Sequence, residues 1–223
     1  PDHENKRILL ADAAQIRNGI VQRINGDEIR HLTQALKEAL ISNYRVVVGP
    51  KTAPDMTGVQ ALFESNCASC HGVMGYGDGP LANGMEPPPG NFHDMSRQYT
   101  RSIYDLYNTI SLGVPETPMI SFAHLSDDQR WALAMMISRY SVTEEQLAEG
   151  KSLWQQGLLR TYFKELANVT GTSYAMAEEW SQIDGNSREQ GSAVLAYLRS
   201  NPEELEISDH AALDTSIAML ATS

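Results

Sequence analysis

One five-residue string gathers most of the chemistry this chain offers: Cys67-Ala68-Ser69-Cys70-His71, with no other cysteine in 223 residues. A Cys-x-x-Cys pair supplies either a dithiol for redox exchange or half of a zinc site. A zinc ribbon needs a second cysteine pair, which is missing. Thioredoxin-like chemistry needs a βαβ setting, and none surrounds the string. The histidine directly after the second cysteine points instead to covalent haem attachment. Each thiol adds across a haem vinyl group, and the next residue reaches the iron as an axial ligand. The bland alternative is an accidental dithiol or a disulfide. The haem reading makes two further demands. The second ring nitrogen of His71 needs an acceptor that fixes its orientation, and a sixth ligand must come from downstream.

Composition removes several other classes. Acidic residues number 28 and basic ones 17, a formal net charge of −11. Duplex nucleic acid and anionic membrane surfaces call for a cationic face, so both are disfavoured. Basic partners and cations are favoured. Apolar residues make up 42%, enough for a core. No apolar run approaches the length of a membrane span; Val46-Val47-Val48 is typical of the short ones. No Ser/His/Asp triad, phosphate loop or zinc-peptidase motif is present.

The elements that must carry these residues read as helices throughout. Leu9, Ala13, Ile16, Ile20 and Ile24 recur at helical spacing, and Ile29, Leu32, Leu36 and Leu40 resume it after an Asn25-Gly26-Asp27 turn. Gly49-Pro50 and Ala53-Pro54 mark a linker. Thr57 to Asn66 forms a helix leading into the cysteines. A Pro/Gly-rich loop follows, from Gly72 to Gly90, suited to wrap a flat cofactor. Thr100 to Leu112 is helical, with Gly113 as its stop. Three capping boxes open further helices: Ser126 to Gln129, Thr143 to Gln146 and Ser187 to Gln190. Asp127-Asp128 reads as a pair of first-turn partners of the helix dipole, not a catalytic dyad. Asn201-Pro202 stops the third helix, and Leu213, Ile217 and Leu220 begin another.

Residues 55–141, with the Cys67–His71 string and its glycine-rich loop, resemble a class I cytochrome c domain. The resemblance implies one covalent haem c, held by Cys67 and Cys70, with His71 as proximal ligand. It implies that a proline carbonyl after a Gly-Pro step takes the His71 ring proton; Gly79-Pro80 lies at a similar offset, which makes Pro80 the candidate. Nine methionines make Met placement alone uninformative. In the family the ligand lies in a Pro-containing loop before the last helix. Gly113-Val114-Pro115-Glu116-Thr117-Pro118-Met119-Ile120-Ser121-Phe122 occupies that place, so Met119 is the choice, with Met95, Met85 and His93 as alternatives. Ile120 departs from the proline frequent there. Phe63 and Tyr140 fit the family's contact between first and last helices. His/Met ligation favours ferrous iron and electron transfer over catalysis.

Some 135 residues flank this block. The expected architecture is all-α: an N-terminal helical segment (1–54) packs on a C-terminal one (142–223), and the cytochrome domain is inserted between them. Glu189 to Arg199 and Ala211 to Ser223 are similar to the periplasmic region of bacterial high-affinity iron permeases. That resemblance implies a periplasmic, membrane-tethered electron-transfer domain whose partners are a redox protein, a permease domain in the same natural chain, and iron. Glu144, Glu145, Glu149, Glu178 and Glu179 would then hold iron, against the plainer reading of a solvated helix face. The permease's own Arg-Glu-x-x-Glu motif is absent, so transport does not reside in these residues. The alternative function is a haem c subunit or docking domain of a periplasmic oxidoreductase, again with no nucleic acid involved.

Overall fold

The computed structural model describes residues 3–44, 49–50 and 52–205. Among them the chain forms eleven helices and no strand, as the capping boxes and helical periodicity require. It divides into two compact units, Pro1–Val48 and Gly49–Ser223. The expected Leu213–Leu220 helix and the Val46-Val47-Val48 run lie outside the described residues.

The first unit is an αα-hairpin of α1 (His3–Val21) and α2 (Gly26–Tyr44) packed along each other. The chain reverses over residues 22–25, slightly before the expected Asn-Gly-Asp turn, because Gly26 already belongs to α2. Arg23 takes a left-handed conformation there, φ 53°, and the Ile24 N–H returns to the Gly19 carbonyl at 3.1 Å. Leu9 is the buried anchor of α1.

The second unit begins with α3 (Val59–Asn66), followed at once by the single turn α4 (Ala68–His71). After the long loop come α5 (Met95–Gln98), α6 (Ile103–Leu112) and α7 (Asp127–Arg139). Then come α8 (Glu144–Gln155), α9 (Leu166–Gly171), α10 (Tyr174–Ile183) and α11 (Arg188–Ser200). The Ser126 and Thr143 capping boxes are formed as the sequence indicates. At the third, the Ser187 N–H donates to the Gln190 side chain at 2.9 Å. A fourth box, Ser102 with Asp105, explains why α6 starts at Ile103 and not at Thr100.

Helices α3, α6 and α7 pack together as the cytochrome resemblance implies, with the Phe63 and Tyr140 ring centroids 5.8 Å apart. The expectation that the C-terminal segment packs outside the cytochrome block implies that this core is closed by that block's own residues. It is not: α11 lies on α7, α9 lies on α6, and a single apolar core runs from Phe63 to Leu205. The reason is visible in α7. Trp131, Ala132, Leu133, Ala134 and Met135 are all buried in succession, so this helix buries more than one face. Helix α11 is buried without interruption from Gly191 to Arg199, sandwiched by α8, α10 and α7. Two glycines permit this close crossing. A Cβ on Gly150 would stand 2.0 Å from the Ala193 carbonyl oxygen, and one on Gly191 2.2 Å from that of Ala177. Each fully buried Val194, Leu195 or Leu198 contributes about 1.5–3 kcal/mol. The segment likened to iron permeases, Glu189 to Arg199, is thus the most buried helix of this unit, and core packing accounts for its apolar pattern.

Candidate functional site

Helix α3 ends at Cys67, whose N–H bonds the Phe63 carbonyl at 2.7 Å. The chain then makes one further turn, with the Cys70 and His71 N–H groups both directed to the Cys67 carbonyl, at 3.1 and 2.9 Å. Residues three and four apart on such a turn share a face, so Cys67, Cys70 and His71 point the same way. They line a cavity of about 530 Å³. Its other walls come from Leu106 and Ile110 of α6, Ile137 of α7, the Pro87–Pro89 run and the loop after α6. Met119 lines the same cavity, and so does Met85. Met95 and His93 are not among its lining residues. His93 is engaged elsewhere: its Nε2 lies 2.8 Å from the Met74 carbonyl and its ring stacks on Tyr76.

The His71 ring is held on two sides. Nδ1 lies 3.1 Å from the Gly90 carbonyl oxygen, and the Phe92 ring stacks on the imidazole at a centroid distance of 4.6 Å. A carbonyl only accepts, so Nδ1 carries the proton and Nε2 is left with its lone pair. Burial lowers the His71 pKa against the opposing Gly90 hydrogen bond, and the Arg97 charge lowers it further, which favours the neutral ring an iron ligand must have. Burial, reinforced by the neighbouring Cys70, pushes the Cys67 thiol up to about 11.

Pro80 does not take the role expected of it. It is exposed, and Gly90 supplies the carbonyl instead. The cause is the way the loop folds back on α4. The N–H groups of Gly77, Gly79 and Leu81 bond the carbonyls of His71, Cys70 and Ser69 at 2.8, 3.1 and 2.8 Å. They satisfy the open C-terminal end of that turn. Gly79 is pressed so close that a Cβ would stand 2.5 Å from the Ala68 and Ser69 carbonyl oxygens. This turn faces the backbone of α4, not the ring. The Phe92 N–H then ties to the Gly75 carbonyl at 2.8 Å and brings Gly90 across to the imidazole.

The Met119 loop is fastened to the end of α6. Gly113, φ 71°, turns the chain where a Cβ would meet the Met119 carbonyl oxygen at 2.6 Å. The Val114 N–H bonds that carbonyl at 2.9 Å, Thr117 Oγ1 accepts from the Met119 N–H at 3.2 Å, and the Phe122 N–H reaches the Ile110 carbonyl at 2.9 Å.

Three cavity residues escaped the sequence reading: Arg97, Arg101 and His124. One residue on a single-turn helix and two in loops carry no spacing signature, so only the fold brings them together. A Cβ on Gly90 would lie 3.5 Å from Arg97 Nη1, which places that guanidinium beside the His71 acceptor. Neither arginine forms an ion pair with a described carboxylate. The proposed iron-holding glutamates do not assemble. Glu178 accepts instead from the Tyr99 hydroxyl at 2.7 Å, Glu144 and Glu145 occupy the first turn of α8, and no three His, Cys, Asp or Glu side chains gather as a metal-holding group among the described residues.

The donors present suit a covalently held haem. Two thiols, a histidine oriented by its carbonyl acceptor and a thioether meet one largely apolar cavity, which Arg97 and Arg101 also line. Residues 57–139 match the family model for cytochrome c. A chain of the Kuenenia stuttgartiensis reducing HAO-like protein complex is similar at 20% identity, with a TM-score of 0.35, over 68% of this chain and 98% of that one. No curated protein matches the chain. The resemblance to iron permeases gains no support from these comparisons. What the Cys67–His71 string implied does hold for the block around it: residues 57–139 form a cytochrome c domain, a haem-binding module for electron transfer.

Proposed function

We propose that this chain is a one-electron carrier with a single haem c, bound through Cys67 and Cys70, and with His71 and Met119 as axial ligands. The observation that carries the reading is the convergence of these four side chains on one cavity. When bound, the iron supplies reversible one-electron chemistry. Cys67 and Cys70 prevent the group from dissociating. The Gly90 carbonyl holds the His71 Nδ1 proton, which orients the ring and strengthens Nε2 as a donor. The Met119 thioether is a soft, uncharged donor and favours the ferrous state. Leu106, Ile110 and Ile137 would shield a bound iron from water, and a drier surround would favour the less charged reduced form. Arg97 and Arg101 would pair with the haem carboxylates. With Met119 as a ligand, a bound iron would keep no open position for substrate, and this is the ground for proposing a carrier rather than an enzyme.

Export to the periplasm belongs to the same proposal, because an oxidising compartment suits a chain whose two cysteines await attachment. A basic redox partner fits the net charge of −11. The test is expression in a host with haem-attachment machinery, followed by acid–acetone extraction and cell fractionation. Colour should stay with the protein in the periplasmic fraction. Complete transfer of colour to the solvent would overturn the covalent haem.

A further inference from the structure

Arg199 is 3% exposed, in the last turn of α11, sixty residues beyond the end of the cytochrome c match. Its Nη2 donates to the Thr172 carbonyl at 2.6 Å and to the Arg101 carbonyl at 3.2 Å. The guanidinium lies over the Tyr174 ring, 4.6 Å from its centroid, while Nε has no hydrogen-bond partner. The charge of Asp105 acts on it, but its Nη2 hydrogen bonds go to carbonyls and not to a carboxylate. A buried cation satisfied by two carbonyls and a ring is a costly way to fill a core. An apolar side chain would do so more cheaply.

What Arg199 does hold is the segment 99–101 between α5 and α6. Two more bonds from the C-terminal helices grip the same segment. The Ala175 N–H donates to the Tyr99 carbonyl at 3.1 Å, and the Tyr99 hydroxyl donates to Glu178 Oε2 at 2.7 Å. Arg97 precedes this clamped stretch and Arg101 ends it, and both line the cavity. In a chain of net charge −11 they are two cations on that cavity, where the carboxylates of a bound haem would find partners.

We propose that Arg199 is a positioning residue of the redox site: by fixing the Arg101 backbone from α11, together with the Tyr99–Glu178 bond from α10, it sets how Arg101 meets the haem carboxylates. The C-terminal helices are thereby part of the electron-transfer centre and not only a support beside it. This inference rests on the haem reading above. Arg101 compensates carboxylate charge near the iron and so stabilises the reduced state; letting it drift lowers the reduction potential.

The experiment is a redox titration of purified holoprotein, with circular dichroism of the Soret band, on charge-conserving variants. Arg199→Lys and Tyr99→Phe are made in the parent and in an Arg101→Gln background. Arg101→Gln should lower the potential most. Arg199→Lys and Tyr99→Phe should each lower it less and alter the Soret dichroism, and both effects should vanish once Arg101 is gone. Potentials and Soret signals equal to the parent's would overturn the proposal and leave Arg199 a packing residue. Shifts that persist undiminished in the Arg101→Gln background would overturn it as well. If Arg199→Lys does not fold, Tyr99→Phe alone is read by the same two criteria. A parent protein without thioether-bound haem overturns the underlying reading, whereas a normal parent with inert variants overturns this inference alone.

Discussion

The two loops that border the cavity hold the residues proposed as ligands, His71 and Met119, by different means. The Gly72–Asn91 loop is stitched to α4 by the N–H groups of Gly72, Gly77, Gly79 and Leu81, and Phe92 just beyond it ties back to Gly75. His71 itself lies on a helical turn, with Phe92 stacked on its ring. The Gly113–Phe122 loop is shorter and closes on itself through Val114, Thr117 and Met119, and Met119 is a loop residue. His71 is therefore placed by a helical turn, and Met119 by a loop turn that is fastened to α6 through the Phe122–Ile110 and Ser121–Ser111 bonds. Local opening draws on segments with few fixed contacts. The histidine side should behave as scaffold and the methionine side as the adjustable part.

The largest expected effect is loss of the anchors: Cys67→Ala with Cys70→Ala should release all colour on acid–acetone extraction, and retained colour would contradict thioether attachment. Next is Met119→Ala, which should abolish the thioether–iron charge-transfer band in the far red and lower the potential, while Met85→Ala leaves both unchanged. Loss of the band in Met85→Ala, and not in Met119→Ala, would reverse the assignment. The glycines sharpen the contrast between the loops. Gly79→Ala forces a Cβ against two carbonyls and should cost about 1–3 kcal/mol in denaturant unfolding, with the far-red band intact. Gly113→Ala should cost a similar amount and weaken the band, since its clash is with the Met119 carbonyl. Equal spectral effects from both would erase the proposed division.

A smaller effect concerns pH in a haem-free Cys67→Ser, Cys70→Ser chain. Burial lowers the folded-state pKa of His71 below the unfolded value near 6.5. As pH falls through 6.5 the unfolded chain takes up its proton first, so stability declines between 6.5 and the lowered folded value and is unaffected above that window. Chemical denaturation midpoints from pH 8 to pH 5 test the sign, and replacing His71 by Gln should remove this contribution. The smallest effect is Pro80→Ala, a change of within about 0.5 kcal/mol at an exposed position. The potential should not move, because the His71 proton is held by Gly90; a shifted potential would restore Pro80 as the acceptor.

The site was legible in sequence wherever local geometry decides it. Cys67, Cys70 and His71 are related by a single turn, so their spacing already contains their arrangement. Capping boxes at Ser126, Thr143 and Ser187 are likewise local, and each opens a helix. The Gly90 acceptor was not legible, because it is selected by the Phe92–Gly75 bond across the loop rather than by distance along the chain. The packing of α11 on α7 was missed, although a signal existed. The run Trp131-Ala132-Leu133-Ala134-Met135-Met136-Ile137 is too apolar for a helix with one wet side, and it called for a second partner. Arg101 and Arg199 are brought into line only by tertiary contacts from helices nearly a hundred residues apart.

The burial of α11 also bears on the order of assembly. Its partners include α7, about sixty residues upstream, and the core it completes reaches back to Phe63. During synthesis the Cys67–His71 turn and all of α7 emerge well before residues 188–200 do. Until then α7 has one face without cover, and closing that gap requires a long loop to be ordered before its contacts repay the entropy. The cysteines are thus available in a partly built domain for the whole interval before α11 arrives.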